Sequence, residues 1–466
     1  MTGHSMDVLA LLPELCLLLG AVASLLVGLW LPRRQQWPAH AVAALAALAA
    51  LVATAVAAAG PDRAVFSAGY QIDATLHVVR AVVAGAVPLV LAISRDQVRH
   101  HPRETEFATL VLLAALGAVL LAGANDLLVL AAAYLLATVP LYALAGFGKD
   151  AGGTEAALKL ALFGALLGIT MLAGITVLFG LGGASGYPAL AEGLRAAPPP
   201  AVVGAVVATA AGLLFKAGAV PGHFWLPDAV EGTGIGVAAF LTTVPKVGAI
   251  AALYRLVTDA VPAAGGVALL LALLAVASMT LGNLAAFGQD DVRRLLGYST
   301  VSQVGYLLIA PAAAGAELAR PALLLYLVGY TVTNLGAFAV VAARPGAHQL
   351  SDYSGLFYRD PLLALTLVVC LLGFVGTPPT AVFAGKLTVF TAGLDAGLGW
   401  LVVLAAVNTV ASVFYYLRWI APLFREAGTR EGGARARWAR GTAYTAGAAT
   451  LLVGVGAGVV LAAVAA

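Results

Sequence analysis

Apolar runs of about twenty residues, long enough to cross a bilayer as helices, recur from one end of this chain to the other. They lie near 8–31, 39–60, 74–94, 106–123, 127–147, 155–181, 201–225, 233–257, 264–287, 295–315, 321–343, 361–394, 396–424 and 441–464, about fourteen in all. Only 10% of the 466 residues are charged and 62% are hydrophobic, whereas a soluble domain carries roughly 25% charged residues. No water-soluble core can hide this much apolar surface. The sequence predicts an all-α integral membrane protein. The first run has no basic leader, and Asp7 and Glu14 flank or enter it, so it is expected to stay as a helix.

Orientation follows from the basic residues, which favour the cytoplasmic side. With the N-terminus outside, inward loops hold fifteen: Arg33, Arg34, Arg95, Arg99, Arg103, Lys149, Arg293, Arg294, Arg344, Arg359, Arg425, Arg430, Arg435, Arg437 and Arg440. Outward loops hold four, Arg63, Arg195, Arg255 and Arg320. The bias predicts an even number of spans and both termini outside. These charges are scattered over short loops and form no basic face for nucleic acid. Cys16 and Cys370 both fall inside apolar runs, far apart, and read as small hydrophobes. No Cys/His cluster offers a metal or iron–sulfur site, so no cofactor is expected in this chain.

Two runs are interrupted. Pro221, Gly222 and Pro227 break the seventh, and Gly376-Thr377-Pro378-Pro379 cuts the twelfth. Proline withholds a backbone donor and clashes with the preceding turn. Such breaks survive at membrane depth only where protein or water satisfies the freed carbonyls. The two breaks are five runs apart, and an odd offset reverses direction across the membrane. Runs 4–8 and 9–13 are therefore read as inverted repeats, the arrangement that points to a transport path. The chain divides accordingly into 1–105 (runs 1–3), 106–257 (first repeat), 258–424 (second repeat) and 425–466 (a basic loop and run 14).

Lysines accompany the breaks. Lys216 lies five residues before Pro221, Lys246 follows Pro245, and Lys386 follows Pro378-Pro379. An amine at bilayer depth is costly unless paired, hydrated or neutral, and marks a proton or ion path by default. Lys159 is a further candidate, with a local pair to Glu155 as the plainer reading. His223, at the seventh break, either relays protons or binds freed carbonyls. Asp228 and Glu231 serve proton uptake, loop structure or a subunit contact. Arg293 and Arg294 are read as topology anchors, and Arg80 and Arg418 as reaching a headgroup or a partner helix. Asn283, Ser299, Ser302, Gln303, Tyr306, Thr331, Thr333 and Asn334 are candidates to line a hydrated path in the second half.

At these residues the chain resembles a known family. Phe215-Lys216, then Val220-Pro221-Gly222-His223-Phe224-Trp225-Leu226-Pro227-Asp228, is similar to the broken-helix motif of the antiporter-like subunits of respiratory complex I. Thr243-Val244-Pro245-Lys246, Asp291-Val292-Arg293-Arg294-Leu295-Leu296-Gly297-Tyr298-Ser299-Thr300, Asn334-Leu335-Gly336-Ala337-Phe338, Gly385-Lys386 and the opening Leu11-Leu12-Pro13-Glu14-Leu15 resemble subunit N in particular. The resemblance implies a fourteen-helix proton-translocating subunit of bacterial NADH:quinone oxidoreductase in the plasma membrane. It implies Lys216 as the central first-half lysine, Lys246 as its relay partner, Lys159 as the sixth-helix lysine and Lys386 as the second-half exit. Flavin, iron–sulfur clusters and quinone are then expected in other subunits, and neighbours include another antiporter-like subunit.

One departure stands out. Relatives carry a fifth-helix glutamate where this chain has Leu135, in Leu135-Leu136-Ala137-Thr138-Val139-Pro140. Its loss removes a charge that would favour the ammonium form of Lys216 and is expected to weaken or reroute coupling to a neighbour. Asp126, about two and a half turns earlier, lies too far away to substitute. Two other functions compete: a subunit of a multi-subunit sodium/proton antiporter, and a structural spacer that no longer pumps.

Overall fold

The computed structural model describes residues 8–33, 35–99, 101–261, 266–425 and 436–465. Asp7, Arg34, Arg430 and Arg435 lie outside the described residues. Every predicted run is helical, and several are helical in two pieces. Unbroken helices span Leu12–Trp30, Trp37–Ala57, Ala74–Val98, Glu104–Gly123, Ala151–Gly182, Val267–Phe287, Val292–Ala312, Ala319–Ala342 and Gly399–Leu423. The fifth run is Leu127–Leu136 and Val139–Ala145, and the seventh is Pro199–Ala217 followed by Trp225–Gly232. The eighth divides into Ile235–Leu241 and Val244–Arg255, and the twelfth into Pro361–Val375 and Ala381–Asp395. The last bends by 74° between Arg437–Val455 and Ala457–Val464.

Eleven described helices are long and apolar enough to cross a membrane unaided, or twelve with the bent final pair. The expected fourteen also counts the tenth, whose buried hydroxyl and amide side chains lower its hydropathy, and the halved twelfth. The breaks in the seventh and twelfth fall five runs apart, as an inverted repeat requires. The all-α reading misses one small element. Strands Arg63–Val65 and Tyr70–Ile72 pair antiparallel in the loop before the third helix, with Arg63 opposite Ile72.

Several acidic residues serve helix starts, where a carboxylate accepts from orphan N–H groups. Asp73, Asp126, Asp150, Asp291 and Asp360 each cap a helix in this way. Asp126 is thus committed to Leu128 N at 2.7 Å.

In lipid, helices associate through close packing and polar contacts, so small residues mark the tightest approaches. A Cβ on Gly117 would lie 2.3 Å from Ala137 N, so the fourth helix presses on the break in the fifth. The eighth run is the most enclosed, with its most apolar window entirely buried, and the eleventh is 89% buried. The first, second, sixth and thirteenth are only 33–39% buried and form the periphery. The polar tenth and eleventh helices therefore sit inside the bundle, around the eighth.

Candidate functional site: three buried lysines on broken helices

Lys216 occupies the last turn of Pro199–Ala217, and Gly218, at φ +80°, turns the chain out of the helix. Its side chain reaches the fifth run, which is itself broken. Pro140 withholds the N–H that would bond the Leu136 carbonyl, and Leu141 N donates to Thr138 O at 3.0 Å, one residue short of the α-helical pattern. Ala137 O is left over. Lys216 Nζ donates to it at 3.1 Å and to Thr138 Oγ1 at 2.6 Å, with the Tyr134 ring centroid 4.7 Å away. A freed carbonyl, a hydroxyl and an aromatic face thus replace hydration. Leu135 lies beyond this set, 49% exposed on the outer surface of the fifth run.

Lys246 is built on the same plan. Pro245 interrupts the eighth run, and Lys246 Nζ donates to Tyr330 Oη at 2.9 Å and more weakly to Thr300 O at 3.4 Å. Tyr330 passes its own hydrogen to Thr242 O at 2.9 Å, beside the interruption, and lies 3.1 Å from Thr300 Oγ1. Asn334, one turn further along, donates to Thr242 Oγ1 at 2.8 Å. The Tyr330 ring centroid is 4.3 Å from the amine.

Lys386 takes the carbonyls exposed by the twelfth break. Its Nζ donates to Phe374 O and Val375 O, both at 3.0 Å, where Gly376 at φ +89° ends the helix. The Tyr306 ring centroid lies 4.0 Å away. Gln303 Nε2 shares Phe374 O at 2.9 Å, and Tyr326 Oη donates to Gln303 Oε1 at 2.6 Å. Tyr306 accepts from Thr409, Ser302 donates to Asn283, and Asn283 donates to Asn408. The tenth helix therefore presents Thr300 to Lys246 and, one turn on, Gln303 to the carbonyl that holds Lys386. One turn of one helix separates the two networks.

The other predicted residues lie elsewhere. Lys159 is 37% exposed and pairs with Glu155 and Asp228, each at 2.6 Å, away from the buried amines. Asp228 also takes Arg294 at 2.9 Å, and Arg294 takes Glu231 at 2.6 Å, so one cluster ties the seventh break to the start of the tenth helix. Arg293 donates to Val230 O and Thr233 O in the same corner. His223 sits in the break with its ring on Phe224 at 4.5 Å, and its Nδ1 finds no partner among the described residues. Thr331 Oγ1 is likewise unpartnered, and Thr333 bonds Gly329 and Thr450, outside the lysine networks. Arg255, expected in an outward loop, instead ends a helix, buried against Asp73 and Ala122 O. Of the alternatives for Arg80, the partner helix holds: its guanidinium grips Glu14.

The sequence reading passed over Tyr134, Thr138, Thr242, Tyr326 and Tyr330. The one available signal was spacing: Tyr326, Tyr330 and Asn334 recur every fourth residue, a polar stripe on an apolar helix. Among the described residues, none of the three buried lysines meets a carboxylate.

Residues 124–412 match the family described as NADH:quinone oxidoreductase/Mrp antiporter, transmembrane, and this stretch contains all three lysines. The chain belongs to this family. NADH-quinone oxidoreductase subunit N 1 of Streptomyces griseus is 56% identical over 98% of this chain and 97% of its own. Subunit N of a Mycobacterium species is 48% identical over 98% of each. Among solved structures, a chain of respiratory complex I from Thermus thermophilus superposes with a TM-score of 0.84 at 33% identity, covering 97% of this chain and 98% of that one. A chain of the Mrp complex from a Dietzia species gives the same TM-score at 20% identity, over 99% and 97%, which speaks for a shared fold alone. The break-and-lysine geometry thus sits on an antiporter-family scaffold.

Proposed function

We propose that this chain is an antiporter-like proton-translocating subunit of bacterial NADH:quinone oxidoreductase, working through Lys216, Lys246 and Lys386. The observation that carries the reading is the repeated design of the three sites. Each amine is buried beside a tyrosine and meets no carboxylate among the described residues; Lys216 and Lys386 rest on carbonyls freed by a helix interruption, and Lys246 on the Tyr330 hydroxyl, which itself bonds Thr242 O beside one. Such an amine is held by acceptors weak enough to let a proton leave, in surroundings that discourage permanent charge. The one-turn step along the tenth helix, Thr300 to Gln303, supports transfer between Lys246 and Lys386. Lys159 and His223 take part at the periphery, Lys159 beside the charged Asp228 cluster and His223 at the seventh break.

Electron transfer belongs to other subunits, where flavin, iron–sulfur clusters and quinone reside, and this chain contributes no redox group. Its neighbours are other membrane-arm subunits, one of them antiporter-like. The arginine bias supports a bacterial plasma-membrane protein with both termini outside. The functional units are 1–105, 106–257, 258–424 and 425–466, the middle two being inverted repeats.

The test is proton translocation per electron in the assembled complex carrying Lys216→Ala or Lys386→Ala. Quinone reduction that continues while translocation by this subunit stops supports the reading. Translocation that survives both substitutions identifies a structural spacer, the role that Leu135 favours. Cation-coupled proton flux in the absence of any electron donor identifies a sodium/proton antiporter.

A further inference from the structure

Close to the bend at Gly456, the third, eleventh and last helices fail to close on one another. They leave a cleft of about 310 Å³ walled by Val82, Leu89, Val332 and Val460, with Gly85 on its wall. A second hollow of about 450 Å³ adjoins it, since Val78, Ala81 and Val464 line both, and here the lining turns polar: Asp62, His77 and Arg320. Arg320 makes no hydrogen bond or ion pair with any described residue, and Asp62 is exposed. His77 is only 9% exposed, yet its Nδ1 has no hydrogen-bond partner among the described residues. The space is thus amphiphilic along one axis, with unspent polar groups at the end that holds the 58–73 loop and an apolar trough running toward mid-membrane.

We propose that this cleft binds one phospholipid with an amine-bearing headgroup, its phosphate on Arg320 and His77, its amine on Asp62 and a tail in the trough. The trough has about ten times a water molecule's share of volume but almost nothing to hydrogen-bond, so water does not fill it. Hydrocarbon does. A guanidinium and an imidazole nitrogen at the mouth suit a phosphate, and the neighbouring carboxylate distinguishes a zwitterionic from an anionic headgroup. The assignment stands apart from the lysine path and does not depend on it.

The experiment is native mass spectrometry of the assembled complex in nanodiscs of equal phosphatidylethanolamine and phosphatidylglycerol. Wild type is compared with Arg320→Gln and Gly85→Leu after detergent exchange. A Cβ on Gly85 meets nothing within 4 Å, so a leucine side chain there starts in open space on the trough's wall. Wild type is expected to retain one phosphatidylethanolamine that both variants lose. Equal retention in all three overturns the site, and preferential phosphatidylglycerol overturns the role given to Asp62. Should the variants fail to assemble, delipidated wild type decides: phosphatidylethanolamine raises its melting midpoint and inorganic phosphate does not. No shift, or an equal shift with phosphate, overturns the proposal, as does a partner helix found seated in the cleft.

Discussion

An ammonium removed from water needs several acceptors at once, and at Lys216 the fifth run provides them from Ala137 and Thr138. Replacing Thr138 with valine keeps the shape and removes the stronger of the two contacts. A hydrogen bond to a charged group is worth about 1.5–3 kcal/mol, so Thr138→Val should sharply weaken the hold on the Lys216 amine. The expected outcome is slower proton translocation at unchanged quinone reduction, with Thr138→Ser restoring it. Translocation unaffected by valine would mean that the hydroxyl is packing alone. Leu135→Glu is the complementary experiment. The residue points outward, one turn from Thr138, and adding a carboxylate there should change the proton-to-electron ratio; an unchanged ratio shows that Lys216 is governed by its present acceptors. Lysine in an apolar run is an anomaly that any reader of the sequence can see, and so Lys216, Lys246 and Lys386 were legible. Their carbonyl partners were not, because a backbone carbonyl has no letter. Which carbonyl is freed depends on how a break relaxes.

At the scale of helices, the breaks differ in how openly they are written. Pro221-Gly222 and Gly376-Thr377-Pro378-Pro379 combine a donor-less residue with glycine, so both breaks are visible in the chain, although the seventh helix already ends at Ala217 and Pro227 lies inside the helix that follows. Pro140 and Pro245 stand singly near the start of a following half-helix, where proline is well tolerated, so the fifth run passed for continuous. Pro140→Ala tests whether that interruption matters. It restores the missing N–H and lets Leu141 N return to Ala137 O, taking the carbonyl from Lys216. Thermal stability should rise while proton translocation falls, opposite signs that general damage does not produce. Gly376→Ala strikes the twelfth break. At φ +89° a Cβ is strained by about 1–2 kcal/mol, and it would meet Lys386 Cδ at 2.9 Å. The variant should lose roughly that much stability and impair translocation at the second-half site, measured by thermal unfolding and by proton uptake in the same preparation.

Across the whole molecule, buried or half-buried ion pairs fasten the third helix to the bundle and the peripheral first helix to the third. Arg255, ending the eighth run, holds Asp73 through Nη2 with both oxygens at 2.9 Å, and Asp73 also caps the third helix. Further out, Arg80 of the third helix grips Glu14 of the first, Nε to Oε1 at 2.8 Å and Nη2 to Oε2 at 2.7 Å, while Tyr70 Oη donates to the same carboxylate at 2.8 Å. The arginine is 1% exposed and the glutamate 4%. Neither member was identifiable as half of a pair, since 66 residues separate them and only the packing of the first helix on the bundle brings them together. Breaking a buried pair costs more than the pair contributes, because the surviving charge is left without a counter-ion, about 3–5 kcal/mol. Glu14→Gln should therefore lower the thermal midpoint substantially. Glu14→Gln combined with Arg80→Met should recover much of the loss, as the uncompensated guanidinium is gone. If the double variant melts no higher than the single one, the carboxylate acts through Tyr70 and the hairpin that presents it. If it recovers stability and still translocates protons, these helices are a support that the lysine path does not run through.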